Sequence, residues 1–322
     1  MKALVHDRFG STDVLEIRDI EPPVPTANTV LVRVVASSVN PADWYSMTGR
    51  PYIARPMVGL RKPKDIRLGT DFAGTVESTG PGVTEFNPGD EVYGMRTGAL
   101  AEFITISETR LALKPANLSF EEAAAIPVAA VTALQALRDH GKVQHGQHVL
   151  INGASGGVGT FTVQIAKALG AEVTGVCSSR NVDLVRSLGA DHVVDYTKQD
   201  FTSGGGPYDL MIDNTGSKPF SKFRKVLSAG ATIVLVGGPK KSRLLGPLTH
   251  IVRTRAAAAR KSQDVVFFIA KVDKNDLNQL SELMEEGTVK AVIDRTYTLN
   301  DAREAFEYLG EGHAKGKVIV RI

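Results

Sequence analysis

Residues 150–160 read LINGASGGVGT, in which the end of an apolar run meets a glycine-rich turn that opens a helical segment. Phe161, Ile165 and Leu169 recur at helical spacing, so one face of residues 160–169 is expected to pack on a sheet. A glycine turn between a strand and a helix lets the backbone approach a pyrophosphate, at which the free N–H groups of the helix point. This context favours a dinucleotide-binding site. The alternative is a glycine-rich turn that only lets the backbone change direction and binds no ligand. The glycines concerned are Gly153, Gly156, Gly157 and Gly159.

The next strand predicted along the chain, residues 172–177, ends without the Asp or Glu that accepts the ribose 2′-hydroxyl in NAD-type folds. It runs instead into Ser178, Ser179 and Arg180. Two hydroxyls and a guanidinium suit the 2′-phosphate of NADP, which a carboxylate would repel. The alternative is that the serines cap the helix predicted from Asn181. The pattern favours NADPH over NADH.

Composition places the chain among two-lobed globular proteins. It has 322 residues, of which 43% are hydrophobic, enough for more than one core. The net charge of +3 gives no argument for nucleic acid, and the basic run at 253–261 is interpreted as a solvated helix face. No apolar run reaches 18 residues, and the residues after Met1 are strand-like and not a signal peptide, so we expect no membrane span and a cytoplasmic location. The single cysteine, Cys177, excludes an internal disulfide and a multi-cysteine zinc site.

The first 120 residues alternate or cluster β-forming residues between Gly, Pro and Asn turns, which predicts a barrel-like lobe. At Ser119 and Glu122 a capping box begins two helical stretches, which Pro127 interrupts and Gly141 ends. The predicted strands of the first lobe are 1–7, 14–20, 30–37, 72–78, 91–93 and 102–106.

From residue 149 onwards short apolar strands alternate with helices, which predicts a doubly wound parallel sheet and an α/β fold. The helices include 181–188 and 222–227 within this sheet region, and 276–286 and 301–309 after it. The last strand, 317–322, is expected to rejoin the first lobe. The predicted strands of the parallel sheet are 149–152, 173–177, 192–196, 210–213, 232–236 and 265–270.

A family resemblance that spans nearly the whole chain is carried by six segments: SSVNPADWYSMTG (37–49), LGTDFAGTVESTGPGV (68–83), GDEVYG (89–94), AAIPVAAVTAL (124–134), INGASGGVGTFTVQIAK (151–167) and GKVIV (316–320). They resemble the medium-chain dehydrogenase/reductase superfamily, in particular its zinc-independent quinone oxidoreductase branch, which includes the reticulon-interacting oxidoreductases. The resemblance implies a GroES-like catalytic domain at 1–120 and 271–322 and a Rossmann domain at 121–270, with cofactor and substrate in the cleft between them.

The resemblance also bears on zinc. Zinc alcohol dehydrogenases have a catalytic Cys where residues 40–43 lie and a His-Glu pair where Thr70 and Asp71 stand, and both are missing here. A zinc site needs three convergent ligands, and we interpret the nearby group of His140, His145 and His148 as surface residues. We therefore expect no catalytic metal. Without a Lewis acid, reduction of quinones or conjugated enones is easier than oxidation of an alcohol.

For the acceptor oxygen, the resemblance implies hydrogen-bond donors at Asn40, Tyr45 and Tyr52. Asn40 before Pro41 is also a turn former, and the two tyrosines could be packing residues beside Trp44. Asp43 and Asp71 are interpreted as structural, because carboxylates at turns most often accept backbone N–H groups.

The resemblance implies cofactor contacts from residues that lie at the carboxyl ends of the parallel strands. Tyr196 is expected to flank the adenosine, or alternatively to cover the strand end. The full set is Ser155, Gly156, Gly157, Val158 and Gly159 for the pyrophosphate, Ser178 and Arg180 for the 2′-phosphate, Thr132 beside the nicotinamide, Asn214, Val236, Gly237 and Gly238 along the riboses, and Val266, Phe267 and Phe268 near the carboxamide.

Three functions remain open from the sequence. The first is an NADPH-dependent reductase of a quinone, enal or enone; the second is an NADP-dependent alcohol dehydrogenase; the third is a nucleotide-sensing protein without turnover. The resemblance implies a homodimer that pairs through residues 265–270. The basic segment 53–66 is either a lid or anion-attracting rim, or a solvated loop.

Overall fold

The computed structural model describes residues 1–238, 248–259 and 261–322. These residues form two compact units, the first comprising 1–131, 271–287 and 291–322 and the second comprising 132–270 and 288–290. The sequence prediction put the boundaries at 120/121 and 270/271. In the structure the helix Phe120–Ala124 packs on strands Thr29–Val39 and Asp71–Thr79 of the first unit.

The strands, numbered in chain order over the described residues, are β1 Lys2–Val5, β2 Glu16–Asp19, β3 Thr29–Val39, β4 Asp71–Thr79, β5 Glu91–Met95, β6 Phe103–Ser107, β7 Leu111–Leu113, β8 His148–Asn152, β9 Glu172–Cys177, β10 His192–Asp195, β11 Tyr208–Asp213, β12 Leu227–Leu235, β13 Asp264–Phe267, β14 Ile293–Thr298 and β15 Lys317–Arg321.

The α-helices are α1 Pro41–Thr48, α2 Arg55–Val58, α3 Phe120–Ala124, α4 Pro127–Gln135, α5 Gly157–Ala168, α6 Val182–Ser187, α7 Phe220–Phe223, α8 Leu248–Ala258, α9 Lys274–Glu285 and α10 Ala302–Glu311. Short 3₁₀ turns occur at Thr12–Val14, Tyr52–Ala54, Glu108–Arg110, Ser179–Asn181, Arg224–Val226 and Leu299–Asp301, and α4 continues into a π-helical turn at Ala136–His140.

The first unit is built on a sheet of order β14-β15-β3-β4-β5-β7, with β6 also paired to β3 and a separate β1-β2 ribbon. Val30, Val32 and Val34 alternate along β3 and are buried, because successive side chains of a strand point to opposite faces. The strand β15 runs antiparallel to β3. This confirms the prediction that the last strand rejoins the first lobe.

Two strands of this sheet were missed by the sequence prediction. The strand β7 is only three residues long, and β14 has the sequence IDRTYT, without apolar alternation. The strand β14 lies at the edge of the sheet and, of the strands that the structure describes, pairs only with β15. Its residues are half-buried or exposed, so its sequence lacks the buried apolar residues at alternate positions that indicate a strand.

The second unit contains a parallel sheet of order β10-β9-β8-β11-β12-β13, the order of a doubly wound Rossmann fold. Met211 and Ile233, on β11 and β12, lie in its core with Phe223 from α7. Cys177 is also buried, and burial raises the pKa of its thiol to about 11, as expected for a packing residue. The predicted α/β class and the GroES-like and Rossmann folds are confirmed.

Local differences occur within this unit. The predicted helix 222–227 is wrong at its end, because Leu227 begins β12 and pairs with Tyr208. The predicted strand 265–270 ends at Phe267. The basic run 253–261 continues α8 as far as Ala258, and its Arg260 lies outside the described residues. No helix within the described ranges is long and apolar enough to cross a membrane.

Candidate active site and cofactor site

The glycine turn connects β8 to α5 as the sequence predicts. Gly153 has φ +82°, a backbone conformation that favours glycine. A Cβ on Gly159 would lie 2.1 Å from the Gly153 carbonyl oxygen, whereas a Cβ on Gly156 would have no neighbour closer than 3.6 Å. Gly159 is therefore required for packing inside the turn, and Gly156 leaves open space at the N-terminus of α5, where Ser155, Gly157 and Val158 complete the turn. This cradle fits a pyrophosphate.

The ends of the central strands carry amides beside this turn. The Nδ2 group of Asn152 donates hydrogen bonds to Asp213, Thr215 and Ser217. Both polar side-chain atoms of Asn214 are buried and have no hydrogen-bond partner among the described residues. Buried amides are nearly always paired. The unpaired amide of Asn214 therefore agrees with its predicted role as a ligand-binding residue, which stays a prediction.

The segment after β12 approaches Asn214 closely. The N–H groups of Val236 and Gly237 both donate to the Asp213 carbonyl oxygen. A Cβ on Gly237 would lie 2.0 Å from the Asn214 carbonyl oxygen, so this position requires glycine. Gly238 follows at the end of the described range. The structure therefore brings Asn214, Val236 and Gly237 together at the carboxyl end of the sheet.

The segment predicted to hold a 2′-phosphate forms the 3₁₀ turn Ser179–Asn181. Ser178 is half-buried and Arg180 is exposed. The alternative that the serines cap the helix is wrong: neither this turn nor α6 has a side-chain cap, and the hydroxyl of Ser179 donates to Asp195 at 2.5 Å. Hydrogen bonds from Ser179 and Thr197 hold the pKa of Asp195 at about 2. An ionised carboxylate therefore lies beside this turn.

The remaining predicted cofactor residues lie elsewhere in the second unit. Tyr196, just after β10, is 59% exposed. Thr132 is half-buried on α4. Val266 and Phe267 lie on β13, and the ring of Phe268 packs against His140 with 4.2 Å between centroids. All of these assignments stay predictions.

In the first unit, the positions at which zinc dehydrogenases carry their ligands form a buried polar cluster. We use the name polar cluster for Ser38, Asn40, Asp43, Thr70, Asp71 and Lys317. The Nζ of Lys317, at the start of β15, lies 2.5 Å from Oδ1 of Asn40 and 3.2 Å from Oδ2 of Asp71.

The polar cluster uses the whole side chain of Asn40, which is 3% exposed. Its Nδ2 group donates to Thr70 and to Asp71, and its Oδ1 accepts from Lys317. Asp71 also accepts from Ser38 and from the backbone N–H of Val128. Asn40 and Asp71 therefore tie β3, β4 and β15 to the start of α4.

Asp43 is the second carboxylate of the polar cluster. It accepts hydrogen bonds from the backbone N–H of Asn40 at 2.8 Å and from the Thr70 hydroxyl at 3.2 Å. Burial, with a further contribution from nearby Asp71, raises the pKa of Asp43 to about 7. Its acceptance of the Asn40 N–H fits the structural role predicted for it.

Tyr45 and Tyr52 differ in environment. Tyr45 is half-buried on α1, and burial raises the pKa of its hydroxyl. Tyr52 is 41% exposed, and its ring lies 4.6 Å from the guanidinium of Arg55, which also covers the ring of Phe9. Trp44 packs against α10 at Gly310, so it is a packing residue.

The basic segment 53–66 has hydrogen bonds from two of its side chains to backbone carbonyl groups. Arg55 donates to the carbonyl oxygens of Gly49 and Leu60, and Lys64 donates to that of Pro56. Arg61, Lys62 and Lys64 are exposed, and Arg55 is half-buried. Most of the positive charge of this segment is thus at the surface, and its role as a lid, an anion-attracting rim or a solvated loop stays a prediction.

The histidines of the sequence motif have separate environments. The Nε2 atom of His148 lies 2.9 Å from a carboxylate oxygen of Glu172, His140 contacts Phe268, and the ring of His145 lies beside Gly170. Within the part of the chain that the structure describes, no three His, Cys, Asp or Glu side chains are placed to hold a metal ion.

Sequence reasoning missed Lys317 and Asp195 as members of these sites. Lys317 is the first residue of the strand β15, where the apolar residues VIV follow it. A lysine next to such a run could have indicated a buried cation, because lysines are rarely buried unless they are paired. Asp195 lies at the end of β10 and reaches Ser179 across the sheet, so only the strand pairing reveals it.

Comparisons with known proteins agree with this architecture. A family model described as "Alcohol dehydrogenase GroES-like domain" matches residues 26–116, and one described as "Zinc-binding dehydrogenase" matches residues 188–320. The chain is 34% identical to "NAD(P)H oxidoreductase RTN4IP1, mitochondrial" of Bos taurus, over 100% of this chain and 89% of that protein.

Two further relatives are similar over nearly the whole chain. "Chloroplast envelope quinone oxidoreductase homolog" of Arabidopsis thaliana is 34% identical, over 99% of this chain and 98% of that protein. The solved quinone oxidoreductase of Coxiella burnetii superposes with a TM-score of 0.89 at 30% identity, over 100% of this chain and 99% of that one. Together with the two units and the glycine turn, these similarities identify an NAD(P)H oxidoreductase with a small-molecule substrate. The chain belongs to the medium-chain dehydrogenase/reductase superfamily, in its quinone oxidoreductase branch.

Proposed function

We propose that this protein is an NADPH-dependent reductase that transfers a hydride to a quinone or an α,β-unsaturated carbonyl without zinc. The observation that carries the proposal is the Lys317 ammonium, which lies 3.2 Å from Asp71 and bonds Asn40 inside the polar cluster. A divalent cation at these positions would meet a buried positive charge and would have only oxygen ligands, whereas zinc prefers nitrogen and sulfur. The residues at 40–43 and 70–71 therefore do not fit a zinc ion.

A site without zinc is suited to acceptors whose developing negative charge needs only hydrogen bonds for stabilisation. When bound, the reduced nicotinamide supplies a hydride, and quinones and enones spread the resulting negative charge onto an oxygen. We assign the donors for that oxygen to the hydroxyls of Tyr52 and Tyr45. Asn40 commits both amide protons to Thr70 and Asp71, so we assign it the role of a positioning residue at the start of α1.

The substrate class has support from a third relative. A protein named "2-methylene-furan-3-one reductase" from Solanum lycopersicum is 32% identical over 99% of this chain and 79% of that protein. The name describes a ketone conjugated to a C=C bond, a class of acceptor that a zinc-free site can reduce. We propose quinones and such enones as the classes to test first.

The preference for NADPH rests on Ser178 and Arg180. Arg180 is exposed and Ser178 half-buried at the end of β9, where a guanidinium and a hydroxyl suit a phosphate dianion. The ionised carboxylate of Asp195, bonded to Ser179, opposes this preference. The charge balance at this turn predicts a moderate preference for NADPH and not an absolute one.

We further propose a homodimer that forms along β13. Among the described strands, β13 lies at one end of the parallel sheet and pairs only with β12. Ile269, just beyond it, is 69% exposed. An unpaired edge with an exposed large apolar residue is suited to pairing with a second copy. Sedimentation velocity at micromolar protein tests the dimer.

We also propose a cytoplasmic location. Cell fractionation tests it against the mitochondrial and chloroplast locations given in the names of the relatives.

The test of the function is NADPH oxidation against a panel of quinones and 2-alkenals, with NADH in parallel and a zinc chelator present. We expect turnover that prefers NADPH and persists in the presence of the chelator. We also expect the zinc content of the purified protein, measured by elemental analysis, to be only about one zinc per ten chains or less, which is a contaminant level. Activity that the chelator abolishes would contradict the zinc-free mechanism. Alcohol-dependent reduction of NADP would instead support a dehydrogenase, and tight NADPH binding without any turnover would support a nucleotide sensor.

A further inference from the structure

Exposed apolar side chains are concentrated in one short stretch of the first unit. Of the ten large apolar or aromatic side chains that are exposed among the described residues, four lie within residues 52–60. Met57 and Leu60 are 69% and 68% exposed, and Ile53 is exposed as well. Single exposed apolar residues are common on folded proteins, but a group of them marks an interaction surface. This stretch is therefore a candidate for contact with another molecule.

The backbone places these side chains close together. A 3₁₀ turn leads directly into α2, so Ile53 and Met57, four residues apart, are neighbours along one side of this helical stretch. Gly59 ends α2 with a φ of +132°, and a Cβ there would lie 2.0 Å from the carbonyl oxygen of Lys62. Leu60 thus lies in a tight turn directly after the helix.

Hydrogen bonds and a ring contact hold this stretch in place. The guanidinium of Arg55 lies 4.8 Å from the centre of the Phe9 ring and donates to the carbonyl oxygen of Leu60. The backbone N–H of Lys64 donates to the carbonyl oxygen of Val58 at 2.9 Å. The exposed side chains therefore stand on a bonded backbone, which lowers the conformational entropy that a partner must remove on binding.

The same stretch carries a high positive charge. Residues 50–67 contain six basic residues and one acidic residue, Asp65, whose carboxylate is already paired within the stretch at 2.9 Å. No ion pair among the described residues neutralises the exposed cations Arg61, Lys62 and Lys64. The stretch has a net charge of +5, whereas the whole chain has only +3. The positive charge of the protein is therefore concentrated beside the exposed apolar side chains.

This combination favours a lipid surface over other partners. Apolar side chains beside Lys and Arg are typical of binding at a membrane interface, where the apolar groups enter the acyl boundary and the cations meet lipid phosphates. A nucleic acid would pair with the cations and leave Met57 and Leu60 in water. A second copy of this chain would bring two stretches of like charge together, and these repel each other.

We infer that the basic segment 53–66 docks on an anionic lipid bilayer. Met57 and Leu60 enter the boundary between headgroups and acyl chains, and Arg61 and Lys62 contact the lipid phosphates. The contact is peripheral and reversible, because the apolar part of the segment is small. The inference does not depend on the proposed reductase, since binding to a bilayer needs neither cofactor nor acceptor.

The test is flotation of the purified protein with vesicles of phosphatidylcholine alone or of phosphatidylcholine and phosphatidylglycerol in equal parts. We expect binding to the anionic vesicles to be about tenfold stronger or more, and to fall as the salt concentration rises. Met57→Ser with Leu60→Ser removes apolar area without a change in charge, and Arg61→Glu with Lys62→Glu reverses two charges. Each pair of substitutions should weaken binding to the anionic vesicles by about tenfold or more. Circular dichroism establishes that the variants are folded.

The controls are matched pairs of exposed residues outside the segment. Val24→Ser with Leu113→Ser removes apolar area elsewhere in the first unit, and Lys222→Glu with Lys225→Glu reverses two charges in the second unit. Both controls should bind the anionic vesicles nearly as wild type does, and losses in them equal to those in the segment would overturn the inference.

Two further outcomes would also overturn the inference. The first is wild type that does not float with the anionic vesicles. The second is full binding by Met57→Ser with Leu60→Ser, because it would show attraction of charge without entry into the lipid. Lipid binding by a protein that reduces no acceptor would support the docking surface and contradict the proposed reductase, so the two proposals fail separately.

Discussion

The Lys317 ammonium lies 3.2 Å from the Asp71 carboxylate in the interior of the first unit, although 246 residues separate the two in sequence. Both side chains are at most 3% exposed. Removing one partner of a buried ion pair leaves the other charge without solvent or counter-ion, which typically costs about 3–5 kcal/mol.

We therefore expect Lys317→Met to lower the free energy of unfolding by about 3–5 kcal/mol, and Lys317→Met with Asp71→Asn to recover a large part of that loss. Urea unfolding at pH 7.5 measures both. The control is Lys2→Met, since Lys2 is exposed on β1. Equal stabilities of wild type and Lys317→Met would show that the pair does not contribute to folding.

Asp43 makes stability depend on pH. The pKa of its carboxyl is raised from 3.8 in the unfolded chain to about 7 in the folded protein. Between these values the folded state binds a proton that the unfolded state does not bind. The stability that this proton provides is present at low pH and is lost as the pH rises from about 4 to about 7.

Asp43→Asn removes this ionisation, while its amide oxygen accepts the same bonds from Asn40 and Thr70. Relative to wild type, the variant should be more stable at pH 8 than it is at pH 5. Chemical unfolding at the two pH values measures the difference. A stability difference that is the same at both would mean that Asp43 does not titrate in this range.

Two glycines of the turn separate folding from cofactor binding. Gly159→Ala places a Cβ 2.1 Å from the Gly153 carbonyl oxygen, whereas Gly156→Ala meets nothing closer than 3.6 Å. We expect Gly159→Ala to lower the melting temperature and Gly156→Ala to keep it but weaken NADPH binding, because its methyl group fills the space before α5. Differential scanning fluorimetry and calorimetric titration measure the two effects. Wild-type NADPH affinity in Gly156→Ala would place the cofactor away from this turn.

Tyr52→Phe tests the proposed donor. The phenyl ring keeps the stacking with Arg55, so only the hydroxyl is lost. We expect kcat on the best acceptor to fall by about tenfold or more while the Kd for NADPH stays constant. Tyr45→Phe, on α1, removes the hydroxyl of the second proposed donor and is measured for comparison. An unchanged kcat in Tyr52→Phe would assign this residue to packing against Arg55.

Arg180→Ala tests the cofactor preference. A charged hydrogen bond is worth about 1.5–3 kcal/mol, so NADPH binding should weaken by about tenfold or more, while NADH binding changes little. Arg186→Ala, an exposed arginine of α6 that faces Asp183 at 3.7 Å, serves as the control. Equal losses for both cofactors would argue that Arg180 contacts a part common to the two.

The Rossmann unit was largely predictable from the sequence, because each of its parallel strands is a short apolar run followed by a turn. LINGASGGVGT, with Val149 before it, indicated the end of β8, the turn and the start of α5. The strands of the first unit were harder to predict where packing does not require apolar residues. This is why IDRTYT in β14, at a sheet edge, gave no signal.

The candidate site was predictable only where a single segment forms it. Ser178 and Arg180 follow β9 directly, and their strand-end position was clear from the sequence. The partners of Asn40 could not be predicted, since Thr70, Asp71 and Lys317 come from two distant segments that meet only through the pairing of β3 with β4 and β15. For the same reason the carboxylate of Asp195 was missed beside Ser179.

The position of Lys317 also constrains the order of events during biosynthesis. The strand β15 pairs with β3 on one side and β14 on the other, and it carries the only cation of the polar cluster among the described residues. When residues 1–131 emerge from the ribosome, the carboxylate of Asp71 does not yet have Lys317 as its partner. All residues of the second unit precede that lysine in the chain. During synthesis, the sheet of the first unit is therefore the later of the two to have all of its strands available.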